Sequence, residues 1–236
     1  MTDFEMISNP PGTAKIVRLE LPIQTGIIQV EDVSVTKDAS VYQALLECAR
    51  KYRRKYADKT ISDIPGVQRG RQLFRMMGIE PTKHRPSSEA MLRRAMKDKP
   101  IYAVNTLVDV SNWCALDFLL PNGIYDVRKI KGDILLCKGL PGDEYVGVNK
   151  REVHLENRYA LRDEIGPFGS PMTDSHRTAI DSDTRAAIAI MYAPPEYNSD
   201  HLLTQCQDYA ERILRHCGGH IVLVSVSDSS RKRGSD

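Results

Sequence analysis

The sequence predicts an α+β domain in which a mostly antiparallel central sheet is covered by helices. Three observations support this fold class. Apolar residues recur at helical spacing in the first half of the chain, whereas short β-branched runs separated by turn dipeptides follow beyond Asn122-Gly123. The last segment alternates strand, helix and strand, and a hydrophobic content of 41% in 236 residues is enough for one core.

We expect residues 36–226 to form this domain. Residues 1–35 are predicted to be an N-terminal strand extension that packs on it. The apolar runs Ile16 to Leu21 and Ile27 to Val30 each suit a strand, and the two strands could pair as a hairpin at the edge of the sheet. Residues 227–236 are polar and are predicted to be a disordered tail.

Helix start and stop signals predict five helices. Ser40 and Gln43 make a capping box for the first helix, and Thr106 with Asp109 offers a similar pattern for the fourth. Asp109 and Asn112 are three residues apart and therefore share a face of the fourth helix. The other helices are expected from Gly66 to the stop at Gly78, from Ser87, and from about Ser199 to Gly218.

Short strands are predicted between the fourth and fifth helices, and turn dipeptides between them suggest an antiparallel meander. A long loop rich in Gly, Pro, Ser, Thr and Asp, from Gly166 to Asp183, is unusual for a purely connective segment. Buried strands are expected at Ala186 to Met191 and at Ile221 to Val226. The meander strands are Ile134 to Cys137, Tyr145 to Val148, Arg151 to Leu155 and Tyr159 to Arg162.

The composition narrows the class of protein. No apolar run approaches the roughly 18 to 20 residues that span a bilayer, and the first residues do not resemble a signal peptide, so a soluble cytoplasmic protein without a membrane partner is expected. The five cysteines form no C-x-x-C pair, which favours reduced, buried thiols. Cys114 could be a nucleophile near Asp109, but its helical phase places it with the core residues.

Positive charge is concentrated on the predicted helices. Residues 50–100 contain 15 Lys and Arg but 5 Asp and Glu, a net charge of +10. Such a concentration is typical of proteins that bind polyanions, because each neutralised phosphate releases counterions. A solvated face balanced by the acidic second half is the alternative. The candidate RNA-binding residues are Arg50, Arg53, Arg54, Arg71, Arg93 and Arg94.

Several enzyme classes are disfavoured because their sequence signatures are absent: the phosphate-binding loop, the dinucleotide-binding glycine motif, H-E-x-x-H and G-x-S-x-G. The six histidines show no metal-ligand spacing, so no metal or other cofactor is expected. His176 lies among Thr173, Asp174, Ser175 and Arg177. This segment could act as a general base or a phosphate clamp, or it could be a hydrogen-bonded surface turn.

Five segments together resemble, in order, the B3/B4 module of the phenylalanyl-tRNA synthetase beta subunit. The helix motif V-D-V-S-N and the following P-x-x-x-Y-D are the most specific of them. The resemblance covers roughly residues 40–195 and indicates a stand-alone relative that lacks the synthetase's catalytic module. The segments are Ser87 to Arg94, Leu107 to Asn112, Leu120 to Asp126, Ile130 to Ile134 and Ile165 to Gly169.

The resemblance implies a pocket that receives the 3′ end of a mischarged tRNA and hydrolyses its ester. Ser111 and Asn112 would line this pocket, and Gly169 would approach the substrate from the opposite wall. The family's histidine and glutamate, which contact the amino acid and the attacking water, correspond to Gly123 and to an apolar position near Ile190.

Three functions remain open from the sequence. The first is a deacylase that acts in trans on mischarged aminoacyl-tRNA, by positioning water and stabilising the oxyanion. The second is an RNA-binding or amino-acid-binding module without catalysis, with tRNA or aminoacyl-tRNA as its partner and no DNA. The third is an enzyme for a small amine-bearing substrate, whose ammonium group would pair with Glu144 or Asp174.

Overall fold

The computed structural model describes residues 13–228, which form two four-stranded sheets, a separate hairpin and five helices. The helices are α1 (Ala39–Lys55), α2 (Val67–Met76), α3 (Ser87–Met96), α4 (Thr106–Phe118) and α5 (Ser199–Cys217). The strands are β1 (Val17–Leu19), β2 (Gln24–Glu31), β3 (Asn122–Asp126), β4 (Ile134–Lys138), β5 (Glu144–Val146), β6 (Glu152–His154), β7 (Tyr159–Arg162), β8 (Pro167–Gly169), β9 (Ala186–Ala193) and β10 (His220–Asp228).

The predicted α+β class, with mostly antiparallel sheets, is confirmed, and the strands divide between two sheets. The first sheet has the order β1-β4-β7-β8, in which only the β1–β4 pair is parallel. The second sheet has the order β10-β2-β9-β3 and is antiparallel throughout. Strands β5 and β6 form the separate hairpin.

Two layers of core flank the second sheet, because its residues alternate between its faces. On one face Ile28, Ile124 and Ala189 pack with α4 and α5. On the other face Tyr125 and Ile190 pack against the first sheet and α2. Every residue of β9 is buried, as expected for a strand enclosed on both faces.

The helix predictions are largely confirmed, but two caps differ. Asp38, and not the Ser40–Gln43 pair, caps α1 by accepting a hydrogen bond of 2.8 Å from the Ser40 backbone N–H. Asn105 caps α4 by accepting from the Val108 backbone N–H. As predicted, Gly78 follows α2 in the left-handed conformation, with φ of 70°.

The strand predictions need three corrections. The prediction of an N-terminal hairpin is wrong, since β1 belongs to the first sheet and β2 lies inside the second sheet, between β9 and β10. The meander is also wrong, because β4 pairs with β7 and the β5–β6 hairpin is inserted between them. Strands β3 and β8 were not predicted, since Asn122-Gly123 and Gly166-Pro167 read as turns.

The predicted tail overlaps the end of the last strand. Ser227 and Asp228 belong to β10, where they pair with Thr25 and Gln24 of β2. The remainder of the predicted tail, and the first part of the predicted N-terminal extension, lie outside the described residues. Among residues 13–228, no helix is long and apolar enough to cross a membrane.

Candidate functional site at the edge of strand β3

Three of the predicted pocket residues, Ser111, Gly169 and Asp174, contact residues of β3, which is an edge strand of the second sheet. Its neighbour in the sheet is β9, and in the β3–β9 pairing Gly123 lies directly opposite Ile190. These are the two positions at which the sequence departs from the synthetase pattern. Since directly paired residues point to the same face of a sheet, the two departures fall in one place.

On the helix side of β3, Ser111 and Asn122 are joined by two hydrogen bonds. The Ser111 hydroxyl donates to Asn122 Oδ1 at 3.0 Å, and Asn122 Nδ2 donates to the Ser111 carbonyl at 3.3 Å. Ser111 is buried, whereas the neighbouring Asn112 is half-buried and so keeps contact with solvent. Asn112 is therefore the α4 residue of the predicted pair that a ligand can reach.

On the opposite side of β3, two glycines make room for a tyrosine. Tyr125 follows Gly123 by two residues and so lies on the same face of the strand. A Cβ atom at Gly169 would lie 2.5 Å from the Tyr125 hydroxyl oxygen and 2.7 Å from its ring, and one at Gly123 would meet the same hydroxyl group. Gly169 thus approaches the Tyr125 ring, which also makes an edge-on contact with Phe168.

Asp174 completes this side of the site. A Cβ atom at Gly123 would lie 2.5 Å from Asp174 Oδ1, so the carboxyl group occupies the space beside this glycine. The second carboxyl oxygen accepts a long hydrogen bond of 3.4 Å from the Ile124 backbone N–H at the edge of β3. Although part of Asp174 is exposed, the surrounding protein desolvates the carboxyl group and raises its pKa to about 7, against the interactions with Tyr125 and Ile124.

The groups that face Asp174 are phenols. The hydroxyl oxygens of Tyr125 and Tyr192 lie 3.5 Å apart. The negative charge of Asp174 contributes to the raised pKa of Tyr145, Tyr192 and Tyr209. Among the residues that the structure describes, no cationic side chain contributes to the pKa of Asp174. The carboxyl group is therefore free of the ion pairs that hold most buried carboxylates in the charged form.

The loop that carries Asp174 is fixed at several points. The Tyr145 hydroxyl donates to the Thr173 carbonyl at 2.5 Å, and the Ser175 N–H donates to the Phe168 carbonyl at 3.0 Å. Further along, Arg177 pairs with the buried carboxylate of Asp163 at 2.9 Å. These anchors hold Asp174 at the edge of β3.

Other predicted residues lie away from this site or serve the scaffold. Glu144 is exposed on the β5–β6 hairpin and lies 3.1 Å from His154 of the facing strand. His176 is exposed. Asp109 accepts a hydrogen bond from the Val104 N–H, and Asp126 accepts one of 2.8 Å from the Thr184 hydroxyl, so both tie segments of backbone together.

Of the six arginines predicted to bind RNA, two donate hydrogen bonds to a buried glutamate and stabilise the packing of α2 and α3. Arg71 donates two hydrogen bonds of 2.7 Å to the buried carboxylate of Glu89, and Arg93 donates a third at 3.0 Å. The Arg71 side chain is only 12% exposed. Arg94 donates to the Pro100 carbonyl and lies over the exposed ring of Tyr102.

The other three arginines lie on the C-terminal half of α1. Arg50 and Arg54 are exposed and both pair with Glu47, at 3.2 Å and 2.7 Å. Arg53 pairs with Asp98 of the α3–α4 connection. We call these three residues the α1 basic surface; its ion pairs are solvent-exposed and therefore weak.

A cleft of about 610 Å³ lies elsewhere, between the C-terminal end of α2 and turns of the first sheet and the hairpin. Its lining includes Arg75, His84, Lys138 and Arg158, with carboxylates from Glu80 and Glu156. It contains none of the predicted site residues. Within the described part of the chain, no group of three His, Cys, Asp or Glu residues is placed to hold a metal ion.

The cysteine prediction is confirmed, since all five are free and buried. Burial raises the pKa of Cys48 and of Cys206 to about 12, and it also raises the pKa of Cys114. Cys114 packs in the core between α4 and α5, as its helical phase indicates. A thiol in this environment is a poor nucleophile.

The fold and site thus define a mixed α+β domain whose polar groups gather beside the edge strand β3. Residues 70–217 match the model of the B3/4 domain family, and the chain belongs to that family.

Known relatives include synthetase subunits and a smaller protein. The chain is 28% identical over 95 residues to the phenylalanine–tRNA ligase beta subunit of Brucella abortus (strain 2308), which is 40% of this chain and 12% of that subunit. It is 25% identical over 170 residues to the uncharacterized protein YhzB of Bacillus subtilis (strain 168), covering 71% of this chain and 74% of YhzB. The matched region thus spans only a small part of the synthetase subunit.

Among solved structures, the chain is similar to an N-terminal fragment of the phenylalanyl-tRNA synthetase beta subunit from Pyrococcus horikoshii. The sequence identity is 12% and the TM-score is 0.45, with 94% of this chain and 53% of that chain covered.

Tyr125 and Asn122 are the site residues to which sequence reasoning gave no role. Both belong to β3, which was read as a turn because of its Asn-Gly dipeptide. A strand interpretation would have placed Tyr125 on the same face as Gly123, at a spacing of two residues.

Proposed function

We propose that this protein binds aminoacyl-tRNA and hydrolyses the ester of mischarged species in trans. The observation that carries the proposal is the polar group beside β3, where the Asp174 carboxyl group and the glycines Gly123 and Gly169 lie around Tyr125. Membership of the B3/4 family and the match to the synthetase subunit of Brucella abortus suggest the substrate class.

The α1 basic surface supplies the second part of the proposal. A tRNA is much larger than a pocket at one strand edge, so phosphate contacts are needed to hold it. Arg50 and Arg54 offer exposed guanidinium groups whose pairing with Glu47 is weak enough to exchange for phosphates. Arg71 does not belong to this surface and instead fixes α2 against α3 through Glu89.

The chemistry requires no cofactor. An aminoacyl ester is activated toward hydrolysis, so a positioned water and a hydrogen-bond donor for the developing oxyanion can supply much of the acceleration. The side-chain amide of Asn112 is the accessible donor on α4. The absence of side chains at Gly123 and Gly169 makes room for the phenol of Tyr125 next to the Asp174 carboxyl group.

The test is loss of the ester bond. The purified protein is incubated with correctly charged and mischarged tRNAs, including tyrosine on phenylalanine tRNA. We expect faster release of one mischarged amino acid than in buffer, and a loss of that release in Asn112→Ala. Gln207→Ala, which removes an exposed amide from α5, is the matched control.

A non-catalytic binding module is the second candidate function. The specific observation that favours it is the Gly123–Ile190 pair, because neither side chain can bind the substrate's ammonium group or orient a water molecule. If no mischarged tRNA is hydrolysed above the buffer rate while tRNA is retained on a filter at low salt, this second function replaces the first. Retention through phosphates should weaken steeply between about 50 and 200 mM salt.

A further inference from the structure

The Asp174 carboxyl group lies directly beside Gly123. Its two oxygens have different neighbours: Oδ1 lies beside Gly123, and Oδ2 accepts the long hydrogen bond from the Ile124 N–H. This geometry holds the carboxyl group against the edge of β3. The absence of a side chain at position 123 is what leaves room for it, because a Cβ atom there would collide with both Asp174 and Tyr125.

The other polar groups of the site cannot accept a proton near neutral pH. The amides of Asn112 and Asn122 and the hydroxyl of Ser111 are not bases, and burial holds the phenols of Tyr125 and Tyr192 protonated by raising their pKa. Asp174 differs because it carries a carboxyl group on a half-buried residue, and no cationic side chain within residues 13–228 lowers the pKa of that group.

We propose that Asp174 is the general base of the hydrolytic reaction, removing a proton from the water that attacks the aminoacyl ester. The inference rests on the proposed function above, since it needs the ester to be bound at the edge of β3. Tyr125 is a positioning residue, whose hydroxyl interacts with the carboxyl group and fixes its orientation.

The reaction balances without a further reagent. Asp174 takes one proton from water, and the resulting hydroxide forms a C–O bond to the ester carbonyl. When the tetrahedral intermediate collapses, the bond to the ribose oxygen breaks, and protonated Asp174 returns its proton to that oxygen. The products are the free amino acid and a tRNA with an intact 3′ terminal hydroxyl.

A general base is most effective when its pKa is close to the working pH, because it is then both largely deprotonated and basic enough to accept a proton from water. Because burial raises the pKa of Asp174 to about 7, the rate should rise with pH through that value and then level off. Tyr125→Phe removes a hydroxyl that favours the charged carboxylate, so the midpoint of the profile should move to higher pH.

The experiment measures single-turnover ester hydrolysis by the full chain on the mischarged tRNA that the parent protein hydrolyses. We expect Asp174→Asn to lose about 100-fold or more in rate while retaining tRNA, as removal of a general base does. Asp183→Asn, an exposed carboxyl later in the same loop, is the matched control and should react at the parent rate. Retention of the parent rate by Asp174→Asn would overturn the proposal.

A second substrate distinguishes two roles of Asp174, that of a general base and that of a residue that pairs with the substrate's ammonium group. N-acetylated aminoacyl-tRNA has no ammonium group, so its hydrolysis should depend on Asp174 to the same degree if the residue is the base. If Asp174→Asn impairs only the substrate with a free ammonium group, Asp174 binds that group and the proposal is wrong. If the parent protein hydrolyses neither substrate, the hydrolytic function itself fails and the proposal falls with it.

Discussion

Replacing Glu89 with Gln should destabilise the protein strongly. The Glu89 side chain is only 2% exposed and accepts hydrogen bonds of 2.7, 2.7 and 3.0 Å from Arg71 and Arg93. Without its negative charge, the Arg71 guanidinium, itself 12% exposed, is left without an anionic partner. Breaking a buried ion pair from one side costs about 3–5 kcal/mol.

The assay is urea unfolding, with thermal unfolding as a second measure. For a domain of this size about 1 kcal/mol shifts Tm by roughly 2–4 °C, so Glu89→Gln should lower Tm by about 6 to 20 °C. Glu47→Gln is the matched control, because its partners Arg50 and Arg54 are exposed; it should change stability by less than about 1 kcal/mol. Equal effects of the two substitutions would refute the structural role of Glu89 and Arg71.

Three further predictions follow from charge and burial. Glu47→Gln should tighten RNA binding at low salt, because it frees Arg50 and Arg54; unchanged retention on a filter would argue against the α1 basic surface. All five cysteines should resist alkylation in the folded protein and react after unfolding, which mass spectrometry can count; rapid labelling of Cys48 would contradict its burial. Asp174→Asn should gain stability over the parent as pH rises from about 4 to 7. The reason is that the unfolded parent loses the Asp174 proton in that window, whereas the folded parent retains it. If the urea midpoints of variant and parent differ by the same amount at pH 4.5 and at pH 8, this prediction is wrong.

Local signals were enough to predict the helices. Gly78 after α2 and the apolar face of α5 are features that a helix shows within its own sequence. The α1 cap was misassigned because Asp38 and Ser40 are both good capping residues, and only the backbone geometry decides between them.

The arrangement of strands depends on contacts that no short segment encodes. Strand β2 lies between β9 and β10, which are far from it in sequence, so its neighbours could not be read from local pattern. Strand β3 begins at Asn122-Gly123, a pair that is typical of turns. The same limit applies to the candidate site: sequence patterns name Ser111 and Gly169 as pocket residues, which stays a prediction, and the packing of Gly169 against Tyr125 follows only from the fold around β3.

The arginines show the limit of reasoning from charge. Sequence alone cannot distinguish Arg54, which is exposed beside Glu47, from Arg71, which is nearly buried against Glu89. Both belong to one basic stretch, yet only the exposed residue has a guanidinium group available to a phosphate.

A protein that holds both the RNA and the amino acid attached to it should distinguish charged from uncharged tRNA. Binding affinity is therefore measured for uncharged tRNA and for the same tRNA carrying its amino acid through a non-hydrolysable amide bond, at one salt concentration. We expect tighter binding of the charged form, with the difference reduced in Asn112→Ala. Equal affinity for the two forms in the parent protein would show that the edge of β3 does not recognise the aminoacyl group.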